Sequence, residues 1–414
     1  MPKSTVMIIG GGAAGLSAAI AAARLGAAVT VLEAKPRIGS KILTTGNGRC
    51  NLSNREISPS AYNVADFVSP VLSEYTSENI VSFFEGLGLL TYSDDEGRIY
   101  PISNNASSVL DVLRLECARL GVEIICDFKV AKVSQQSSAQ EFIAHSTTGQ
   151  QVVGDSVVVT TGGGTSLLAE LGHKTVKCVP VLVPIRTETE PIRGLSGVRV
   201  RCCASILDAS SSQDGGEDSK PVATERGEIL FRDYGVSGIM VFDLSRYLNQ
   251  GHTLSIDFLP DIPLEELTQN LYARRDAFSS RTAETFLAGV FHARVSAALL
   301  RAAHISPNTP VPEIPCDNLA QIIKNFELTI IGPGDSKQAQ VTRGGISTDE
   351  FSPKTLESQR VAGLFAAGEV LDVDGRCGGY NLHWAWSSGI VAGESAAQFA
   401  RARLASQEGG VTSD

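Results

Sequence analysis

No stretch of this chain is both long and apolar enough to span a membrane; the longest candidate, Ala13 to Val31, is rich in small residues and broken by Arg24. Cationic excess is missing as well. The 35 lysines and arginines face 45 aspartates and glutamates, a net charge of −10 that argues against nucleic acid or an anionic membrane as a partner. Eight cysteines, at 50, 117, 126, 178, 202, 203, 316 and 377, include no CxxC pair, and the six histidines show no ligand spacing. No structural metal and no disulfide framework are therefore expected. The first apolar run begins within a few residues of Met1, which leaves no room for a secretory leader and points to reduced thiols in the cytoplasm. No acid/base constellation stands out either. Of 414 residues, 43% are hydrophobic, enough to build the cores of two or three folding units.

What is present is a glycine turn at the start, TVMIIGGGAAGLSAAIAAARLGAAVTVLEA. Thr5 to Gly10 reads as a strand, Leu16 to Leu25 as a helix, and Val29 to Leu32 as a second strand ending at Glu33. Gly10, Gly12 and Gly15 carry the GxGxxG spacing, which permits a tight turn, close approach of a pyrophosphate, and close helix packing in that order. Amides at the helix N-terminus and the helix dipole then hold negative charge. Glu33 falls where a carboxylate accepts hydrogen bonds from ribose hydroxyls and repels a 2′-phosphate, which favours FAD or NAD over NADP.

Further along, Ile38 to Asn63 is loop-rich, and Ser77 to Leu87 and Ser107 to Leu120 are helical. Glu123 to Phe128 and Val152 to Thr161 read as strands, the latter closing on TTGGG. Short alternating runs between Pro184 and Pro260 predict antiparallel β structure, a small barrel or sandwich, with residues 208 to 220 as a solvated hairpin loop. Leu264 to Phe326 has helical periodicity, and Leu328 to Val341 returns to β character. A strand at Gly363 leads through DVDGRCGGYN into one long helix. That helix carries the small-residue stripe Ala385, Gly389, Ala392, Gly393 and Ala396, suited to close docking on a sheet. The expected division is a nucleotide domain over 1–183, a β-barrel over 184–260, a helical part over 261–326, return strands of the barrel over 327–344, and completion of the first domain over 345–414.

Four glycine-bearing segments, at 10–15, 39–51, 160–164 and 368–381, would converge on one cofactor. The GRCN run with a nearby Asn, GRIYP at 97–101, GEILF with GVSG at 227–238, TRGGI at 342–346 and GEVLDVDGRCGGYNLHWAWSSG resemble the BaiN/YhiN-type bacterial FAD-dependent oxidoreductases, also called aminoacetone-oxidase-family enzymes. The resemblance implies an α/β fold: a glutathione-reductase-like, Rossmann-type FAD/NAD(P)-binding domain with an inserted β-barrel and a small helical subdomain. It also implies that Gly10, Gly12, Ala13, Ala14, Gly15, Glu33, Ala34 and Lys35 hold the ADP half of FAD. Lys41, Gly46, Gly48, Arg49, Cys50 and Asn51 would follow the pyrophosphate, ribityl chain and ring. Val130 would meet adenine through its backbone, and Thr161 and Gly162 would pass beside the cofactor. Gly368 and Glu369 would lie at the ribityl or phosphate region, with Gly379, Tyr380, Asn381 and Leu382 at the pyrimidine edge. Asn381 is expected to open the terminal helix, whose amides and dipole would then face flavin N1 and O2, where charge develops on reduction. One departure is the short run GTSLLAEL between TTGG and Gly172–His173, where the family carries a longer glycine-rich segment.

Cys50 and Cys377 lack a thiol partner at CxxC spacing and read as packing residues. Trp384 and Trp386 read as packing anchors, and His173, His292 and His383 as surface or satisfied core residues. Arg49, Tyr100 and Tyr380, with Arg98, are the candidates for handling substrate. A second GxGxxG is absent, so a dedicated nicotinamide domain is not expected and NAD(P)H would dock transiently. The leading expectation is an FAD-dependent oxidoreductase that reduces a small organic substrate with NAD(P)H through flavin N5. The alternatives are an amine or aminoketone oxidase using oxygen, a non-catalytic flavin-binding sensor or partner protein, and a nucleic-acid-modifying flavoprotein, against which the acidic balance and the lack of a basic stretch weigh.

Overall fold

The computed structural model describes residues 3–136, 141–208, 221–249, 251–334 and 341–409. Among them no helix is long and apolar enough to cross a membrane. Two compact units are present, residues 1–179 with 341–414 and residues 180–340, and each has its own apolar core.

The first unit opens with β1 (Thr5–Ile9), α1 (Ala13–Arg24) and β2 (Ala28–Leu32). Val6 to Ile9 are all buried, as an inner strand of a sheet covered on both faces requires. There follow β3 (Ser53–Asn54), α2 (Ala65–Glu74), α3 (Ser77–Glu85), β4 (Thr91–Ser93), β5 (Arg98–Pro101), α4 (Ala106–Arg119) and β6 (Glu123–Ile125). A capping box of Thr76 and Asn79 starts α3, and the Asn105 side chain caps α4. Next come β7 (Val130–Gln136), β8 (Glu141–Ser146), β9 (Gln151–Gly154), β10 (Ser156–Val159), α5 (Ser166–Glu170) and β11 (Thr175–Val181).

The single strand expected over Val152 to Thr161 is two strands in different sheets. β9 belongs to the antiparallel sheet β7-β8-β9, whereas β10 enters the parallel sheet beside β1. Asp155 makes the switch, its carboxylate accepting the Thr5 N–H at 2.8 Å and the Thr5 hydroxyl at 2.7 Å. A β-branched run carries no signal for a change of ladder partner.

The second unit contains β12 (Ile185–Thr187), β13 (Arg199–Leu207), β14 (Ala223–Arg232), β15 (Gly235–Ser237), α6 (Ile239–Ser245) and β16 (Thr253–Asp257). It continues with α7 (Leu264–Ala277), α8 (Ala283–Phe286), α9 (Ala293–Ala302), α10 (Cys316–Lys324) and β17 (Phe326–Pro333). The six strands close into a barrel in the order β12-β15-β14-β13-β16-β17. Alternation sends Cys202, Ala204 and Ile206 of β13 inward. Helix α6 lies in a stretch read as wholly β, because the apolar run IMVFDL is too short for its period to show. The hairpin loop expected over 208–220 lies outside the described residues beyond Asp208.

The chain then returns to the first unit with β18 (Val341–Ile346), β19 (Leu364–Ala366) and α11 (Tyr380–Gly409). β18 pairs with β11 in a two-stranded sheet rather than joining the barrel, so Val341 to Gly344 part company with β17, the barrel strand of the expected return segment 327–344. The parallel sheet runs β19-β10-β1-β2-β6. The small-residue stripe of α11 meets α1 as well as the sheet. A Cβ on Gly389 would collide with the Ala14 carbonyl oxygen, and one on Gly393 would lie 2.8 Å from the Ala18 Cα. The sheet contributes Ser156 of β10, which donates to the Ala396 carbonyl at 3.0 Å.

Candidate functional site

The turn between β1 and α1 is shaped by what surrounds each glycine. Gly10 has φ +113°, and a side chain there would run into the Thr160 carbonyl. The Thr160 hydroxyl holds the turn from behind by donating to the Ile9 carbonyl at 3.0 Å and the Gly10 carbonyl at 2.9 Å. Gly15 is pressed against the same hydroxyl, which a Cβ would approach to 2.8 Å. Gly12 faces open space, with no heavy atom within 4 Å of where its Cβ would stand. It is the N-cap of α1, whose first turn contains no acidic residue and no side-chain cap. The amides of Ala13 and Ala14 therefore stand at a helix N-terminus with no side chain spent on them, next to room for an anion.

Glu33 closes the other side. One carboxylate oxygen accepts the Gly11 N–H at 2.8 Å and the other accepts the Lys35 N–H at 2.8 Å, so the acid fixes both the glycine turn and the bend through Ala34. Each oxygen keeps a lone pair for a sugar hydroxyl. Phe128 donates to the Glu33 carbonyl at 2.9 Å and Asp127 to the Lys35 carbonyl at 3.1 Å, which lays the segment just before Val130, the first residue of β7, along this bend. An open space at Gly12, uncommitted helix amides and a carboxylate at the end of β2 fit the ADP half of FAD.

From here the site extends along loops far apart in sequence. Gly368, φ +73°, approaches α1 so closely that a Cβ would lie 2.9 Å from the Ala14 Cβ. The adjoining Glu369 pairs with the Lys41 ammonium and accepts the Thr342 N–H at 2.8 Å. Gly162, φ +63°, passes close to the same carboxylate, and the Thr161 hydroxyl closes its turn on the Gly164 carbonyl at 2.5 Å. Segments 10–15, 41, 160–164 and 368–369 are thus brought together. The Thr342 contact has no local signal in the sequence, although Thr342 opens the TRGGI motif.

A second junction joins the 46–51 loop to the start of α11. With its amide turned to satisfy its neighbours, Asn51 donates to the carbonyls of Ile99 at 3.2 Å and Ser53 at 2.9 Å and accepts the Gly379 N–H at 3.1 Å. Gly379 has φ +104°, and a Cβ would strike the Ser53 carbonyl. Asn54, the nearby Asn of the motif, donates to the Gly378 carbonyl at 3.0 Å. Helix α11 begins at Tyr380, so Asn381 is its second residue and not its first. The Asn381 amide ties back the preceding turn, donating to Gly375 O at 2.9 Å and Arg376 O at 3.2 Å and accepting the Gly375 N–H at 2.9 Å. Leu382, one residue further on, packs against the core.

Tyr380 donates to the Glu56 carbonyl at 3.3 Å, while its own carbonyl accepts the Tyr62 hydroxyl at 2.8 Å. Tyr100 is buried in β5, with Gly46 against one edge and the Arg49 guanidinium carbon 4.8 Å above its ring centroid. Burial pushes the Tyr100 phenol upward, opposed by the Arg98 and Arg49 charges. Gly48, φ +83°, allows the bend before Arg49.

Cys50 is fully buried, and burial pushes its thiol up to about 12 against a hydrogen bond with Thr45, so it is held as an unreactive thiol. Trp384 and Trp386 are buried anchors, donating to the carbonyls of Gly368 at 3.3 Å and Leu52 at 3.1 Å. They lock two of the converging loops onto α11. His383 is buried between the Ser53 hydroxyl at 2.8 Å and the Tyr75 carbonyl at 3.0 Å, and desolvation lowers it to about 4. Among the described residues no group of His, Cys, Asp or Glu is arranged to hold a metal ion.

Residues 4–395 match the family described as HI0933-like protein Rossmann domain. A 3-dehydro-bile acid delta(4,6)-reductase from Clostridium scindens is 37% identical over 415 residues, 94% of this chain and 98% of that protein. A ribosomal RNA dihydrouridine synthase from Haemophilus influenzae is 28% identical over 92% of this chain and 96% of its own length. Its namesake from Escherichia coli is 27% identical over 94% and 96%. With its Rossmann-type FAD-binding fold, the chain belongs to the HI0933-like Rossmann-domain family and is an FAD-binding oxidoreductase.

Proposed function

We propose that this enzyme uses NAD(P)H to reduce its bound FAD and then saturates a conjugated carbon–carbon double bond in a small organic substrate. The observation that carries this reading is the 37% identity, over nearly the whole of both chains, to a relative named as a delta(4,6)-reductase. The dihydrouridine synthases are likewise named for saturating a double bond. When bound, FAD supplies hydride transfer at N5, so the protein has to orient, exclude water and place charge. In this reading the α1 amides and Glu33 hold the ADP half, and Lys41 with Glu369 borders the phosphate and ribityl region. The N-terminal end of α11, from Tyr380 onward, turns the positive end of its dipole to the ring edge that gains charge. Arg49, Tyr100 and Tyr380 lie on the substrate side. A net charge of −10 favours a small molecule over ribosomal RNA.

The test is an anaerobic titration of the purified holoenzyme with NADH and then NADPH, followed by a conjugated enone. Bleaching of the flavin band by one nucleotide and its return on adding the enone is the expected result. A band that bleaches only with amines and returns with air identifies the oxidase. Rapid reoxidation by a uridine-containing RNA in place of the enone would transfer the reading to RNA.

A further inference from the structure

Leu90, Tyr92, Tyr100 and Ile102 share one face of the β4–β5 ladder. Tyr92 is paired with Tyr100, and Ile102 donates its N–H to the Leu90 carbonyl at 2.9 Å, so alternation places all four side chains together. Three of them are unusually open for large apolar groups, with Leu90 66%, Ile102 58% and Tyr92 36% exposed. The Tyr92 ring stacks on Tyr100 at 5.8 Å and is fixed by its hydroxyl donating to Asn104 at 2.6 Å. Arg49 also lies on the Tyr100 ring. Its Nε is turned to the Gly46 carbonyl at 3.4 Å, and it forms no ion pair among the described residues. Two of the three acids of the adjoining turn are engaged elsewhere, since Arg98 pairs with Asp94 at 2.7 Å and Glu96 at 2.6 Å. The result is an exposed apolar strip beside a guanidinium that is oriented by a ring and keeps its terminal nitrogens uncommitted.

We propose that this face binds an amphiphilic monoanion, a rigid apolar molecule whose carboxylate is taken by the Arg49 fork while its body lies along Leu90, Tyr92 and Ile102. A planar guanidinium matches a carboxylate through two parallel hydrogen bonds, and stacking on Tyr100 reduces the ordering that binding requires. Large exposed apolar groups on one face mark a binding surface. A polyanion fits poorly, because the strip offers one cation among apolar groups on a chain of net charge −10. The assignment rests on the proposed reductase reading only in naming this monoanion as the substrate.

The test is calorimetric binding of 3-oxochol-4-en-24-oic acid and of its methyl ester to the FAD-loaded enzyme, beside a short uridine-containing oligoribonucleotide, with turnover assayed separately. The acid is expected to bind about tenfold to a hundredfold more tightly than the ester. Arg49→Gln should erase that preference, Arg49→Lys should restore part of it, and Ile102→Asp should weaken acid and ester alike. Retained FAD and an unchanged melting temperature show that each variant is folded. Equal binding of acid and ester, failure of both to bind, or a preference that survives in Arg49→Gln overturns the proposal, as does Arg49-dependent binding of the oligonucleotide in preference to the acid. Arg49-dependent binding of the acid without its reduction leaves the anion site standing and removes the reductase reading.

Discussion

Replacing Gly389 and Gly393 of α11 separately by alanine tests how the helix pair α1–α11 supports the cofactor turn. In Gly393→Ala the new methyl would lie 2.8 Å from the Ala18 Cα and closer still to its carbonyl oxygen, and in Gly389→Ala it would lie 3.0 Å from the Ala14 carbonyl carbon. Carbon atoms pack at about 3.5–4.0 Å, so the helices must separate by roughly 1 Å or the backbone must bend. Overpacking of this kind costs about 1–3 kcal/mol, which lowers the melting temperature by roughly 2–12 °C in a unit of this size. The sites differ in what they disturb: Ala14 lies in the first turn of α1, whose amides hold the ADP half of FAD in the proposed reading, whereas Ala18 lies one turn further in. Both variants should melt early by differential scanning fluorimetry without added FAD. Only Gly389→Ala should also lose FAD affinity, by about tenfold for each 1.4 kcal/mol passed to the turn. Melting within a degree of the parent in both variants, or equal FAD affinity in the two, would refute this account of the contact.

Glu33→Arg should lose most bound FAD on gel filtration, because the acceptor of the Gly11 and Lys35 amides is replaced by a cation; a variant that purifies fully yellow would count against the ADP site. His383 is lowered from 6.5 to about 4 by burial, so the unfolded chain takes up a proton first as pH falls. Its contribution is complete above about pH 6.5 and is lost toward pH 4, a swing of about 3 kcal/mol. Denaturant midpoints measured between those pH values should therefore fall less steeply in His383→Gln, and parallel curves would show that another group dominates. Thiol labelling of the folded protein at pH 8 should reach exposed Cys178 well before buried Cys50, Cys117 and Cys202. Labelling of Cys50 as fast as Cys178 would contradict its burial.

Local chemistry settled the elements whose signals lie within a few residues. The strand, glycine turn, helix and acid from Thr5 to Glu33 were legible because each conformational demand falls on its own residue: positive φ at Gly10, open approach at Gly12, close packing at Gly15, a carboxylate at Glu33. Alternation in Arg199 to Leu207 likewise announced a half-buried strand. Tertiary structure decided the rest, because its causes lie more than a hundred residues away. The run Val152 to Thr161 becomes two strands only because Asp155 finds Thr5. Lys41 meets Glu369, Asn51 meets Gly379, and Trp386 meets Leu52 only after the parallel sheet has carried those loops to one end. The stripe on α11 showed that something packs closely there, but a stripe of small residues is equally complementary to a helix or a sheet. Only the assembled unit placed α1 against Gly389 and Gly393 while leaving Ser156 of the sheet to hold Ala396.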